Sequence, residues 1–471
     1  MRILCLPIDS RPCNTQFIRR LTAWAGHELI LPKPEEMDDF RMPAPYAGSF
    51  AFLKRELPHC DAAVISLDHW CYGGLLASRE DAVSEDQALK RVKELKTLLR
   101  AHGKIPVYMS SVILRSTISA YSQQDIPVYQ AMIDYSVATD RLERFGLPED
   151  REALEKAKAL IPEAVLRKVL EIRRRNLKIN LAAVDMAAEG MLASLSVLQE
   201  DCQIFGLPRK DQRAIADHIK KTGCSHVFLR NGADEAGALS AALALRAGRE
   251  KLPVEIRYWG NSGFIAPFED RPFRENMESA CREAGILPHE GSETVICVCC
   301  PEDGSQGASL SQQKQYASWA DALVREGKRV YLLDLIVPNG GSTGLVESLK
   351  EANGLWGYSA WNTASNSMGT MLSQVITDAL RGQPNRAFFQ ERLLDDWLYQ
   401  TVIRPQLTEK LEAAEENIYD LADKQRAETL LRSLYEKELP ARWPLSVLPR
   451  YTVSLPWNRI FETSVSVEST A

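Results

Sequence analysis

Short apolar, β-branched runs alternate with amphipathic stretches through most of this chain, and no other feature narrows its fold as much. The runs are Arg2–Asp9, Glu28–Pro32, Ala62–Leu67, Pro106–Val112, Leu192–Leu198, His226–Leu229, Pro253–Trp259, Thr294–Cys300, Arg329–Leu335 and Leu355–Trp361. Between them lie helical patterns such as Ser84–His102, which opens on a serine with Glu85 and Asp86 in its first turn and stops at Gly103. Strand–helix alternation of this kind predicts right-handed βαβ units and a largely parallel sheet, so the expected class is α/β. The ten runs divide into two five-stranded, Rossmann-like halves. If two of them are peripheral, a distorted TIM-like barrel is the alternative.

The length of 471 residues suits two or three domains. Residues 1–202 are expected to form one α/β half, with a helical insertion at 128–190. Residues 203–382 form the second half, and 383–471 a helical C-terminal region in which Tyr451–Phe461 adds a terminal edge strand. The insertion carries Arg173-Arg174-Arg175, which reads as a solvated helix face. With Lys+Arg 57 against Asp+Glu 63, the net charge is −6. No basic face emerges, so nucleic acid is not an expected partner. No run approaches the ~20 apolar residues that span a bilayer, and the N-terminus is charged too early for a signal peptide. A cytoplasmic protein with no membrane partner is the expectation. The ten cysteines lack the paired spacing of zinc ligands, and Cys297, Cys299 and Cys300 sit inside an apolar run. They read as small buried hydrophobes in a reducing compartment.

Parallel strands deliver functional groups at their C-terminal ends. The polar residues just past each run are therefore the candidates. Asp9, Arg11 and Asn14 lie at the end of the first. Asp68, Tyr72, Gly73, Gly74 and Arg79 come after the third, and Arg115 after the fourth. Glu200 and Asp201 come after the fifth, and Asp234 and Glu235 after the sixth. The last two runs contribute Asp334 and Asn339, then Trp361, Asn362 and Asn366. Any one of these also suits a cap or a turn. As a set they put acids and arginines at strand end after strand end.

Three stretches carry most of the chemistry. In Glu200-Asp201, like-charge repulsion raises one pKa, as a general acid at neutral pH requires. Asp201 reads as the acid, with Glu200 orienting the substrate or ionised beside it. Gly73-Gly74 permits close backbone approach to a ligand, but neither a phosphate-binding Gly-Lys-Ser/Thr nor a G-x-G-x-x-G fingerprint is present, so no nucleotide cofactor is implied. Trp361-Asn362 offers an aromatic face beside an amide, suited to a sugar ring or to a core boundary. No H-E-x-x-H or G-x-S-x-G motif occurs. The chemistry left open is that of carboxylates, acting directly or through one oxygen-ligated divalent cation such as Mg or Mn.

These stretches carry a family resemblance. Pro7-Ile8-Asp9-Ser10-Arg11-Pro12-Cys13-Asn14, Tyr72-Gly73-Gly74-Leu75 with Ala77-Ser78-Arg79, and Arg174-Arg175-Asn176 to Asn180 resemble motifs of the bacterial domain of unknown function 4127 family. So do Gln199-Glu200-Asp201, Gly232-Ala233-Asp234-Glu235, Pro338-Asn339-Gly340, Trp361-Asn362-Thr363 and Leu455-Pro456-Trp457-Asn458-Arg459. The resemblance implies that the strand-end stretches are the family's own motifs, and it brings no assigned activity. Where the family pattern carries Asp-Asp, this chain has Glu200-Asp201, whose first carboxyl reaches one methylene further.

The expected function is a carboxylate-dependent hydrolase of a polar small molecule, a glycoside or cell-wall-derived amino sugar, working without a cofactor. Asp201, Glu200, Asp234 and Glu235 are its candidate catalytic acids, and the other strand-end residues its candidate substrate contacts. Two alternatives stand beside it. One is a divalent-metal-dependent hydrolase or lyase using Asp9, Asp68, Asp201 and Asp234. The other is a non-catalytic protein that binds a polar metabolite.

Overall fold

A computed structural model describes residues 1–302 and 307–468. The first sheet contains β1 (Arg2–Leu6), β2 (Glu28–Ile30), β3 (Ala62–Ser66), β4 (Val107–Ile113), β5 (Ser194–Gln199) and β6 (Val227–Asn231), in the order β2-β1-β3-β4-β5-β6. The second contains β7 (Leu252–Trp259), β8 (Ile286–Pro288), β9 (Thr294–Cys299), β10 (Arg329–Asp334) and β11 (Gly357–Ser359), in the order β11-β10-β9-β7-β8. Every pairing in both sheets is parallel. The α/β class with parallel sheets holds.

Two details differ from the expectation. The run at His226–Leu229 does not open the second sheet. As β6 it pairs with β5 from Leu195↔Val227 to Gln199↔Asn231, so the strands divide six and five. The helix Leu207–Thr222 is the crossover of one more βαβ unit, and nothing in apolar spacing tells such a helix from a domain boundary. The tail strand β12 (Tyr451–Ser454) does not extend a sheet either. It pairs antiparallel with β13 (Ser464–Val467) in a two-stranded ribbon of its own.

The chain forms two compact units. One comprises Met1–Arg19, His27–Leu245 and Phe268–Arg271, the other Arg20–Gly26, Arg246–Pro267 and Pro272–Ala471. In the first, β3, β4 and β5 are buried along their whole length, as strands covered on both faces must be. The expected insertion is three helices, Ile126–Phe145, Pro148–Ala159 and Glu163–Ala188. The last of these packs Ile179, Ala183, Val184 and Ala187 into the sheet core. The helix Glu85–Ala101 starts on a capping box, Ser84 with Gln87, as its sequence indicates.

In the second unit the helix Ala364–Arg381 is buried nearly end to end. The C-terminal helical region belongs to this unit and includes an eleven-residue π-helix, Leu393–Ile403, with Trp397, Leu398 and Tyr399 in the core. Among the described residues no helix is long and apolar enough to cross a membrane.

The first sheet curls at its C-terminal rim. β1 and β6 stand four places apart, about 19 Å in a flat sheet at ~4.8 Å per strand. Yet Arg11, beyond β1, and Asp234, beyond β6, form a 2.5 Å ion pair. Ile8, Leu75, Val112, Leu198, Ala233 and Ala236, drawn from the ends of five strands, make one apolar plug. The groups just past those strands are thereby gathered on one rim of this unit.

Candidate active site

The centre of the rim is a buried salt-bridge network. Asp9 lies three residues past β1 and accepts hydrogen bonds from Arg11 Nη2 (2.7 Å), Arg11 Nε (3.0 Å) and Asn14 Nδ2 (2.7 Å). The same guanidinium donates to both oxygens of Asp234, at 2.5 and 3.1 Å. Pro12 starts a single 3-10 turn that carries Asn14 back to Asp9. Burial works to raise the Asp9 pKa, but the Arg11 charge and the hydrogen bonds from Arg11 and Asn14 outweigh it. Asp9 is therefore held below the usual carboxylate range.

Asp38 completes this centre, and the strand-end pattern does not reveal it. It lies eight residues beyond the end of β2, in the irregular segment after Pro34–Glu36, too far along the chain to count as a strand-end residue. Its Oδ2 accepts a 3.4 Å hydrogen bond from Ser10 Oγ, and its buried Oδ1 has no hydrogen-bond partner. Burial, then the negative charge of Asp9, pushes its pKa up to about 8. The site lies where the chain leaves β1 for β2 on one side and β3 on the other, the crevice in which open α/β sheets hold ligands.

Gly73 and Gly74 line the same crevice, and both require glycine. They adopt φ of +92° and +136°. A Cβ on Gly73 would stand 2.7 Å from the Ala44 carbonyl oxygen, and one on Gly74 3.6 Å from Asp38 Cγ. The turn lets backbone approach the acid.

A second cluster lies beyond β4 and β5. Glu200 is ion-paired with Arg79, whose Nη1 also donates to Ser119 Oγ at 3.3 Å. Asp201 pairs with Arg115 at 3.2 Å, and Arg115 Nη2 donates to Tyr129 at 3.2 Å. Burial raises the Glu200 pKa; Arg79 opposes the shift and the Asp201 charge adds to it. Asp201 is the more accessible, with its side chain 28% exposed, and it holds a left-handed φ of +26°. Burial lowers Arg115, but the Asp201 and Glu200 charges more than reverse that, so its guanidinium stays charged. Asp68 is buried and accepts a 2.8 Å hydrogen bond from Val112 N. Burial lifts it to about 7 against that bond, and the Glu200 charge contributes.

Other candidates are structural. Glu235 is enclosed by Arg230 and by Ala233 N at 2.9 Å, so it holds its own turn. Tyr72 is buried under the Arg175 guanidinium, 4.3 Å from its ring centroid. The arginine triplet is not a solvated face. Arg173 binds Asp211 (2.6 Å) and the carbonyls of Leu114 and Arg115, while Arg175 binds those of Ser78, Glu80 and Val83. Only Arg174 is exposed. Charge runs look alike in sequence whether they meet water or the carbonyls of buried loops.

Asp334, Asn339, Trp361, Asn362 and Asn366 belong to the second unit. Asp334 accepts from Ser342 N (2.6 Å), Ser342 Oγ, Ile336 N and Tyr358 OH, so it shapes the loop after β10. Asn339 and Asn362 are both left-handed, at φ +60° and +63°, and Asn339 N donates to the Asn362 carbonyl at 3.1 Å. Trp361 is 5% exposed and packs at 6.4 Å from the Phe461 ring, so it fills a core boundary and offers no open platform. Asn366 sits in the first turn of Ala364–Arg381, where Thr363 caps the helix. The expected site thus divides: thirteen of the eighteen candidates lie in the first unit and these five in the second.

The acids nominated for a divalent ion each have protein partners in this structure. Asp9 and Asp234 share Arg11, Asp201 holds Arg115, and Asp68 holds a backbone N–H. Among the described residues no group of three or more His, Cys, Asp or Glu side chains is arranged to hold a metal.

The family model described as "Protein of unknown function (DUF4127)" matches residues 3–466. The chain belongs to that family. The comparisons with curated proteins and with solved structures return no match. The motifs that carried the resemblance fall mainly on the rim of the first sheet and on the loops after β10 and β11.

Proposed function

We propose that this protein of the DUF4127 family is an enzyme, a hydrolase that uses the strand-end carboxyls of the six-stranded sheet on a polar small molecule, with glycosides and amino sugars as the substrate class. The observation that supports it is the pairing of Asp9 with Asp38. Two neighbouring acids are driven in opposite directions, one fixed as a carboxylate by Arg11 and Asn14, the other kept protonated at neutral pH. That division sets an acid beside a fixed negative charge, as acid–base catalysis requires. The partnerless Asp38 Oδ1 and the adjoining Gly73-Gly74 turn leave this acid an atom and a backbone approach for a substrate.

In this reading Asp38 donates its proton to the leaving oxygen as the glycosidic C–O bond breaks, water adds to the anomeric carbon, and the proton that water sheds returns to Asp38. Asp9, unable to take up that proton while Arg11 holds it, stabilises the positive charge that develops on the sugar. Arg79 and Arg115 orient polar substituents through the exposed side of the Glu200–Asp201 cluster.

A panel of aryl glycosides and muropeptide fragments tests this with the wild type and with Asp38→Asn. Turnover of one class by the wild type, reduced at least 100-fold in a folded variant, is the expected result. An inert wild type across the panel, or an unaffected variant, contradicts it.

A further inference from the structure

The second unit holds a groove of about 840 Å³ between β7, β8 and the helix Phe273–Ala284. It exists because β8 is too short to cover its neighbour. β8 pairs with β7 only from Leu252↔Ile286 to Val254↔Pro288, whereas β9 pairs with Glu255 through Trp259 on the other side. Leu252 N donates to Gly285 O and Val254 O accepts from His289 N, both on the β8 side; Trp259 O accepts from Cys300 N on the β9 side. Backbone groups alternate along a strand. The N–H and C=O of Ile256 and Tyr258 therefore point past the end of β8, and among the described residues no strand pairs with that edge.

The groove's lip is charged in a pattern. Arg274, Glu278 and Arg282 line it at i, i+4, i+8 of the helix, all three exposed, with Arg274 4.7 Å from the Tyr258 ring. Their spacing is about 6 Å per step, at 1.5 Å rise per residue. Alternate side chains of an extended strand are spaced ~6.6–6.8 Å, so the two repeats match over three positions.

We propose that this groove is a docking site for an extended peptide segment, which adds as a strand along Ile256–Tyr258 and presents acidic, basic and acidic side chains at alternate positions to Arg282, Glu278 and Arg274. Main-chain hydrogen bonds to the open edge supply affinity, and the alternating charges supply selectivity. A small polar ligand would satisfy the arginines but leave the strand edge unpaired. The groove and the proposed catalytic acids belong to different units, and the proposal does not depend on those acids.

The test uses the full chain and fluorescein-labelled peptides built on Glu-Val-Lys-Val-Glu, on its charge reversal Lys-Val-Glu-Val-Lys, and on the first peptide with alternate backbone nitrogens methylated. Anisotropy is expected to give at least tenfold tighter binding of the first peptide than of the second, and loss of binding on methylating the register that faces β7. Reversing the lip with Arg274→Glu plus Arg282→Glu, both solvent-exposed changes, is expected to invert the preference. No binding of either peptide, equal binding of both, or indifference to methylation in either register overturns the proposal.

Discussion

At the scale of single residues, the consequential contrast is between Asp9 and Asp38, identical side chains that share a crevice and whose pKa values are pushed in opposite directions. An acid raised to about 8 keeps its proton in the folded protein while the unfolded chain releases it near the ordinary value of ~3.9. Between those limits the native state binds more protons than the unfolded state, so Asp38 makes stability fall as pH rises from about 4 to about 8. Denaturant unfolding across that range is expected to show a shallower decline in Asp38→Asn than in the wild type. If Asp38 is the proton donor, its rate profile has an alkaline limb near pH 8. The asparagine variant is expected to lose that limb together with roughly 10²–10⁴ in kcat. Arg11 gives a second prediction. Its guanidinium lies between two buried carboxylates, so Arg11→Met removes the cation that both share and is expected to cost about 3–5 kcal/mol in urea unfolding.

At the scale of elements, the turn between the two short helices after β3 depends on two residues without a Cβ, of which Gly73 is the more tightly enclosed. Gly73→Ala forces φ +92° on a chiral residue and drives its Cβ against the Ala44 carbonyl. The expected loss exceeds about 1 kcal/mol by thermal or chemical unfolding, whereas Gly26→Ala, with nothing near its Cβ, carries only the backbone term.

Legibility in the sequence has the same physical basis. Nine of the ten apolar runs are strands of the sheet expected for them, because a strand buried on both faces must be continuously apolar. β8, three residues long, carries no such run, and Asp38 escaped notice because it lies eight residues past β2 in irregular chain. Glu200, Asp201, Asp9 and Asp234 were visible because a parallel strand ends where a site begins. The burial of Arg173 and Arg175 was not, since their partners are carbonyls of distant loops that no spacing reports. Trp361 and Asp334 sit at strand ends as expected but commit their polar or aromatic surface to their own unit.

At the scale of the whole molecule, the chain closes its first unit with a short return. Phe268–Arg271 comes back to the first sheet's unit after β7 has been laid down in the second. The Phe268 carbonyl accepts from Cys202 N, and the buried Asp270 takes Arg209 and Gln212 at 2.9 and 3.0 Å. This return segment fixes the helix Leu207–Thr222 beneath the Glu200–Asp201 loop. Asp270→Ala is expected to raise amide exchange first in that helix, by tenfold or more; uniform exchange over the first unit would instead assign Asp270 a purely global role.

Catalysis by this pair requires Asp38 to be neutral where Asp9 is charged, and carboxyl ¹³C NMR of aspartate-labelled protein reads that state directly, with Asp38→Asn supplying the assignment. One carboxyl resonance titrating near pH 8 and absent from the variant is the expected result. An Asp38 resonance that moves with an ordinary midpoint near 4 would contradict the proposed acid and the hydrolase reading built on it.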